Sequence, residues 1–521
     1  MKTDIAPPRP STTRPVPLAE LAAAAAFTGG RLQDGDPTVA VTGVTLRAHQ
    51  VRPGDLFAAL PGSRAHGADF AAEALEAGAV AVLTDPAGAG RMALMHPAGT
   101  GRLALTGAPV PLLVHEAPRR VLGRLSSMVY GNPSSRLAVI GITGTAGKTT
   151  TSYLVQAGLT RAGHTTGLIG TVQTMIAGEC LDSAFTTPEA PDLQGLLALM
   201  LERGVSHVAM EVSSHALALG RADGTAFAVG AFTNLSQDHL DFHADMEDYF
   251  AAKALLFDGR CAREVVNVDD PYGRRLVKSE TVTVSAAGDP QASWRVADVV
   301  AEPGGQRFRV LGPGGLDLPA AIRLPGGFNA ANAVLAVATL AAVGTDPADA
   351  VKGIAETVVP GRMEPVDAGQ PYPALVDYAH TPEAVQRLLA AVRAGTPGRV
   401  IVVLGCGGDR DRAKRPLMGA AAARGSDLLV VTDDNPRSEQ PAAIRSAMLA
   451  GALAVPPGER GEVVEVGDRR EAVAAAVRAA RPGDALVVAG KGHEQGQEIA
   501  GAVHPFDDRT VLRAAIGGAS G

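Results

Sequence analysis

From about Leu18 onward, short apolar runs of strand length alternate with stretches in which apolar residues recur every three or four positions. The first pattern predicts buried strands and the second amphipathic helices. Up to about Pro133 the alternation is short and mixed: strand-like VAVTGVTL (39–46), the turn VRPGDLF, helix-like DFAAEALEAGA and strand-like VAVLTD predict a small mixed α/β domain. Turn formers then cluster from Tyr130 to Ser135 and mark a boundary. Next come AVIGIT, a helix, TTGLIGTV, the helix DLQGLLALMLERG and HVAMEV, which predict a mostly parallel sheet with ligands at the carboxyl ends of its strands. Beyond Pro360 the runs ALVDYA, RVIVVLG, DLLVVT, GEVVEV and ALVVAG alternate with helices and predict a doubly wound, Rossmann-like sheet. The expected division is a proline-rich disordered tail at 1–17 and three α/β domains at 18–133, 134–358 and 359–521.

Composition fits this picture. A chain of 521 residues is too long for one core and suggests roughly three domains. A net charge of -7, with no long basic run, argues against a nucleic-acid partner. Three scattered cysteines, Cys180, Cys261 and Cys406, suit a reducing compartment, so a cytoplasmic location is expected. The apolar stretch from Leu21 to Phe27 is short, follows Glu20 directly and reads as an ordinary helix. No segment reaches the ~20 apolar residues of a membrane span.

The chemistry centres on residues 138–152, AVIGITGTAGKTTTS, read as strand, phosphate loop and helix. Gly144 and Gly147 let backbone N–H groups approach phosphate oxygens, and the helix N-terminus adds partial positive charge. Lys148 would hold terminal phosphates and Thr149 would offer Mg²⁺ a hydroxyl. Ile142 stands where the strict phosphate-loop spacing has glycine, yet strand before and Gly-Lys-Thr-Thr after point to nucleotide binding. Glu211 ends HVAMEV at the same sheet edge, placed to meet Mg²⁺ directly or through water. Residues 232–257 combine His239, Asp241, His243, Glu247 and Lys253. Their spacing alone favours a polar loop leading into an amphipathic helix with a solvated lysine over a metal cluster.

The motifs TGTAGKTT (143–150), EVSSHAL (211–217), FTNLSQDHLDFH (232–243), FNAANA (328–333), GRMEP (361–365), DYAHTPEA (377–384) and CGGDRD (406–411) stand in the order found in Mur ligases. As a set they are specific, and the chain after residue 35 resembles that family. It is most similar to the tripeptide synthetases, and DNPR (434–437) with GKGHE (490–494) resembles their diaminopimelate-adding branch. The resemblance implies an ATP-dependent ligase, with ATP as co-substrate and Mg²⁺ as cofactor, acting on UDP-N-acetylmuramoyl-L-alanyl-D-glutamate and diaminopimelate through an acyl phosphate. It implies ATP contacts from Gly144, Thr145, Ala146, Gly147, Lys148, Thr149, Thr150, Asn329, Arg362 and Asp377. Thr149, Glu211, His239 and Lys253 would serve the metal, Lys253 as N6-carboxylysine. The UDP-sugar dipeptide would meet Thr186, Thr187, Ser213, Arg221 and the backbone of Ala48. Diaminopimelate would meet Arg410, Asp434, Asn435, Pro436, Arg437, Gly490 and Glu494.

The chain departs from the family pattern at three places. Arg47-Ala48-His49 stands where members usually have Asp-Ser-Arg, Leu219 where glutamine is frequent, and Ala146 where asparagine is common. A monomer is expected. Two rival readings remain open on sequence: a ligase like folylpolyglutamate synthetase, and a regulatory nucleotide-binding protein without ligase activity.

Overall fold

A computed structural model describes residues 8–62, 64–94, 104–105, 108–181, 185–302 and 304–519. The chain divides into two compact units, one formed by residues up to 283 with 338–346, the other by 284–337 with 347–521. These units do not coincide with the boundaries expected from sequence. The first two expected domains share one unit, and residues 284–337 cluster with the C-terminal residues.

The first unit opens on a five-stranded sheet ordered Arg31–Gln33, Leu112–Val114, Ala81–Thr84, Asp55–Ala59, Gly43–Thr45, parallel except at its first pair. Alternation in the strands serves two layers. Leu56 and Ala58 face helices Leu18–Ala26 and Pro118–Val129, while Phe57 and Ala59 pack with Ala71, Leu75 and Met92. The run at 39–46 is split into Ala40–Val41 and Gly43–Thr45, and the expected helix shortens to Ala71–Glu76 behind a 3₁₀ turn, Gly67–Phe70.

The tail expectation is corrected for residues 8–17, residues 1–7 lying outside the described part. Val16–Pro17 pairs antiparallel with Ala40–Val41, Arg9 donates to both oxygens of Asp55 at 2.8 Å, and Ser11 binds Glu202 through its amide and hydroxyl. Prolines exclude helix but suit extended backbone, and buried Asp55 requires a cationic partner.

The second sheet of this unit runs Glu179–Leu181, Thr174–Ile176, Thr166–Ile169, His207–Glu211, Ala138–Thr143, Phe227–Phe232, Cys261–Asn267. Its five strands from Thr166–Ile169 onward are parallel, as the alternation predicts. Helix Ala190–Glu202 buries Leu193, Leu197 and Met200 against Val139, Val208 and Met210. Register sets Ile142 beside Glu211 and Thr143 beside Phe232, so three strand ends converge where the phosphate loop begins.

The second unit holds an antiparallel meander, Trp294–Glu302, Gly305–Gly312 and Leu316–Ile322, which the sequence reading did not resolve. Its C-terminal sheet is ordered Glu364–Pro365, Ala374–Asp377, Ala485–Ala489, Val400–Leu404, Leu428–Val431, Glu462–Glu465. The five expected strands are all present and parallel, with one antiparallel edge strand added. Helices Pro382–Ala394, Lys414–Gly425 and Pro441–Ala454 pack on one face, and Arg469–Ala479 and Asp508–Ala519 on the other. No helix among the described residues is long and apolar enough to cross a membrane.

Candidate active site

In the first unit, strand Ala138–Thr143 delivers the chain to the phosphate loop and helix Lys148–Arg161 leaves it. Gly144 (φ 143°) and Gly147 (φ 88°) hold backbone conformations that other residues rarely adopt, and a Cβ on Gly144 would overlap Thr233 Oγ1. The loop is held from below. Asn234 donates to the Ala146 carbonyl and accepts from the Ala146 amide, both at 3.0 Å, and Thr145 N donates to Asn234 O. Position 146 is thus engaged through its backbone, which accounts for alanine being accommodated there.

Two lysines converge on this loop. Lys148 Nζ donates to the carbonyls of Gly144 and Thr145 at 2.9 Å, and Lys253 Nζ donates to Gly144 O at 2.8 Å. Lys253, on helix Met246–Ala254, is 1% exposed and lies 4.5 Å from the Tyr249 ring centroid. The solvated lysine that spacing favoured is therefore corrected, because the helix turns this side chain into the protein. Burial first, then the neighbouring Lys148 charge, lower the Lys253 pKa well below that of an ordinary lysine.

Glu211 is buried and fully engaged. Its Oε1 accepts from Thr171 N at 2.9 Å, and its Oε2 accepts from Thr171 Oγ1 at 3.0 Å and Thr149 Oγ1 at 3.1 Å. Hydroxyl and carboxylate oxygens thus meet beside the loop, a hard donor pair suited to Mg²⁺, which keeps waters and phosphate oxygens for the rest of its shell. Among the described residues no group of three His, Cys, Asp or Glu side chains forms a metal cage. The donor set fits an ion completed by nucleotide phosphates rather than an all-protein site. His239 (φ 54°) lies edge-on to His215, with ring centroids 4.8 Å apart. Burial, opposed by Asp238 and reinforced by Lys148, lowers its pKa to about 4, so the imidazole is neutral at pH 7.

Four of the expected sugar-dipeptide residues, Thr186, Thr187, Ser213 and Arg221, lie around the same strand ends. Thr187 Oγ1 donates to Glu211 O and accepts from Ser213 N, Thr186 Oγ1 pairs with Thr171 Oγ1, and Ser213 caps helix Ser214–Ala218. Arg221 ion-pairs with Glu189 at 2.9 Å and stacks 5.1 Å from the Phe185 centroid. Ala48 begins the 3₁₀ helix Ala48–Gln50, and the Arg47 guanidinium beside it binds Asp192 at 3.0 Å.

In the second unit, Asp377 accepts from the amides of Met363 and Ala379 at 2.7 Å, and Arg362 lies over the Tyr378 ring at 4.3 Å. Burial raises the Asp377 pKa, opposed by Arg362. Asn329 donates to Pro325 O at 2.8 Å and accepts from Asn332. The loops after strands Val400–Leu404, Leu428–Val431 and Ala485–Ala489 gather the expected amino-acid residues at one sheet edge. Asn435 donates to Glu494 at 2.9 Å, and Gly490 (φ 110°) leaves Asp434 the space a Cβ would enter, 2.8 Å from its Oδ2. Arg437 (φ 53°) donates to Gly408 O at 2.6 Å and lies 3.3 Å from Glu498. Pro436 O accepts from Glu439 N at 3.1 Å, and Arg410 is exposed, near enough for its charge to act on the Tyr378 phenol.

Several participants were not singled out from sequence. Thr171, Tyr249 and Asn234 hold Glu211 and the loop; Thr171 and Tyr249 are ordinary polar residues, and Asn234 sits in the FTNLSQDHLDFH motif but carries no expected role of its own. Arg469, fully buried, pairs with Asp508 at 2.7 Å and donates to the Ala489 carbonyl at 2.9 Å, pinning the strand end before Gly490. An arginine three residues past the GEVVEV run gives no sequence sign of burial.

Family models described as Mur ligase family catalytic domain, Mur ligase middle domain and Mur ligase glutamate ligase domain match residues 40–130, 142–340 and 361–492, together well over half of the chain. The chain belongs to the Mur ligase family. A relative from Streptomyces avermitilis named UDP-N-acetylmuramoyl-L-alanyl-D-glutamate--2,6-diaminopimelate ligase is 54% identical over 517 residues, 98% of each chain. One from Corynebacterium glutamicum with the same name is 50% identical over 470 residues, 88% of this chain and 89% of the relative. A solved structure of a ligase so named aligns with a TM-score of 0.69 at 29% identity, covering 98% of this chain and all of that one. The three-domain α/β architecture expected from sequence is the fold of this family, and this Mur ligase is an ATP-dependent, ADP-forming enzyme.

Proposed function

We propose that this Mur ligase adds diaminopimelate to UDP-N-acetylmuramoyl-L-alanyl-D-glutamate at the expense of ATP, in peptidoglycan biosynthesis. The observation that carries this reading is likeness to relatives of that name across nearly the whole of both chains. The regulatory and folylpolyglutamate readings lose ground to it, since neither relative's name nor its coverage suits them.

A carboxylate and an amine do not condense usefully in water, so the carboxylate must first be activated. The glutamate carboxylate attacks the γ-phosphorus of ATP, forming an acyl phosphate and releasing ADP. The diaminopimelate amine then attacks the acyl carbon, the tetrahedral intermediate expels phosphate, and the amine loses its proton. This chain's contribution is mainly positioning and charge neutralisation. Backbone amides of residues 144–150 and the helix N-terminus face the phosphates, with Lys148 supplying charge. Thr149 and Glu211 would hold Mg²⁺, helped by His239, and the ion would neutralise charge on the phosphate oxygens. Asn329, Arg362 and Asp377 are assigned to the nucleotide. Thr186, Thr187, Ser213, Arg221 and the Ala48 backbone are assigned to the sugar dipeptide. Arg410, Asp434, Asn435, Pro436, Arg437, Gly490 and Glu494 are assigned to diaminopimelate, with Arg437 suited to bidentate binding of its distal carboxylate.

Lys253 is assigned as N6-carboxylysine. Only a neutral amine attacks CO₂, and the buried Lys253 amine is biased toward that form. The product would be an anion where an ammonium would repel the metal. The deciding experiment is phosphate release from ATP across a panel of amino acids. Release should require both the sugar dipeptide and diaminopimelate; release with either alone, or with no preference among amino acids, would overturn the assignment.

A further inference from the structure

The motif GKGHE contributes Gly490 and Glu494 to the proposed amino-acid pocket, but its lysine has no role in that assignment. Lys491 is 0% exposed, so it does not reach a ligand in solvent. Its ammonium donates to Asn435 Oδ1 at 2.9 Å and to Glu494 Oε2 at 3.2 Å. Asn435 Oδ1 also accepts from the Glu498 amide at 3.0 Å, which fixes the side-chain amide so that Nδ2 faces Glu494 Oε2 at 2.9 Å. One carboxylate oxygen of Glu494 therefore takes two inward donors. The other has no donor among the described residues, and the side chain is 34% exposed. Burying an ammonium is costly unless it is paired, and an apolar side chain would fill the same space more cheaply. The cation is explained by what it does to the carboxylate and amide above it.

We propose that Lys491 is a positioning residue for amino-acid selection: from beneath the pocket it fixes Asn435 and turns one Glu494 oxygen inward, leaving the other to receive the ligand's ammonium group. This rests on the assignment of Glu494 to diaminopimelate. It goes beyond that assignment by making the affinity of Glu494 for the ligand depend on a residue the ligand never touches.

The test compares wild type, Lys491→Met, Glu494→Gln and the double variant in phosphate release, with KM measured for diaminopimelate and for ATP. Lys491→Met should raise KM for diaminopimelate about tenfold or more, as expected for a charged group losing a buried partner, with KM for ATP within about twofold. The double variant should be no worse than Glu494→Gln alone, since Lys491 acts through that carboxylate. Losses that multiply in the double variant, or an equal rise in KM for ATP, would overturn the proposal. Should Lys491→Met not fold, the double variant carries the test, because it removes the buried charge together with its partner. Failure of the double variant to fold would assign Lys491 to stability and also overturn the proposal. If Glu494→Gln itself leaves KM for diaminopimelate unchanged, the pocket assignment fails instead.

Discussion

Glu211→Gln separates the structural from the chemical role of the carboxylate that ends strand His207–Glu211. Glutamine keeps the shape, and its carbonyl can still accept from Thr171 N. The other position, which now accepts from both Thr149 Oγ1 and Thr171 Oγ1, becomes an NH₂ group, so two hydroxyls must turn to accept. Exchanging charge-assisted for neutral hydrogen bonds costs about 1–2 kcal/mol here, a shift of only a few degrees in Tm for a unit of this size. The effect on catalysis should be far larger. On the proposed assignment Mg²⁺ would lose an anionic oxygen beside Thr149, and charge stabilisation of several kcal/mol at the transferring phosphoryl group corresponds to about a 100-fold loss in kcat or more. Phosphate release measured across a Mg²⁺ titration, beside thermal melts with and without Mg·ATP, reads both effects. Turnover within threefold of wild type at an unchanged Mg²⁺ dependence would refute the assignment. So would a melting loss large enough to account for the missing activity.

Lys253→Ala should lose most activity while remaining folded, and wild-type protein supplied with ¹³C-bicarbonate should show a carbamate signal absent from the variant; near wild-type turnover, or no such signal, would discard the modification. Arg362→Ala should raise KM for ATP without unfolding, because Arg362 and the Tyr378 ring it lies over are both only partly buried; an unchanged ATP dependence would remove Arg362 from the nucleotide. Arg437→Ala should lower use of diaminopimelate by about 10³-fold but use of lysine much less, since only the former carries a distal carboxylate for the guanidinium; equal losses would return Arg437 to a structural partner of Glu498. Burial and the adjacent His164 lower the His207 pKa to about 4 from 6.5, so the unfolded chain takes up this proton first as pH falls. Stability is therefore lost between pH 6.5 and about 4, on the order of 1–2 kcal/mol after discounting for a half-exposed ring, and His207→Gln should show a smaller loss in urea melts between pH 7 and pH 5.

Sequence carried the repeating part of the fold because parallel strands buried on both faces read as continuous apolar runs, as four of the five expected strands beyond Pro360 do; the fifth, Glu462–Glu465, is a partly exposed edge strand. It failed where the periodicity was weak or the context tertiary. Strands Trp294–Glu302, Gly305–Gly312 and Leu316–Ile322 are partly open to solvent, with exposed polar positions such as Arg307 and Arg309 that interrupt their apolar residues. Residues 8–17 look disordered by composition, yet their partners Asp55, Thr42 and Glu202 are remote in sequence. Lys253 reads as solvated because helix periodicity cannot say which face a single lysine occupies; only the packing of helix Met246–Ala254 against the loop shows it buried.

The phosphate loop of the first unit and the proposed amino-acid pocket of the second differ in how they are built, and this decides which departures from the family pattern matter. Around the phosphate loop, the groups on offer are backbone amides and short hydroxyls, and the loop's shape is set by Gly144, Gly147 and the Asn234 side chain beneath it. A side-chain change at Ala146 leaves both of its backbone hydrogen bonds to Asn234 in place, so asparagine is dispensable there. The proposed amino-acid pocket instead depends on long charged groups whose direction is fixed by other charged groups: Glu494 by Lys491 and Asn435, Arg437 by Glu498 and Gly408. There a neutral replacement alters every partner's charge balance. At the first sheet, Arg47 engages Asp192 rather than standing as an inert substitute for the family's aspartate, and Gln50 accepts from the same guanidinium at 3.3 Å. The departure at 47–49 thus forms a local ion pair with helix Ala190–Glu202, and the contact proposed at this point remains the backbone of residue 48.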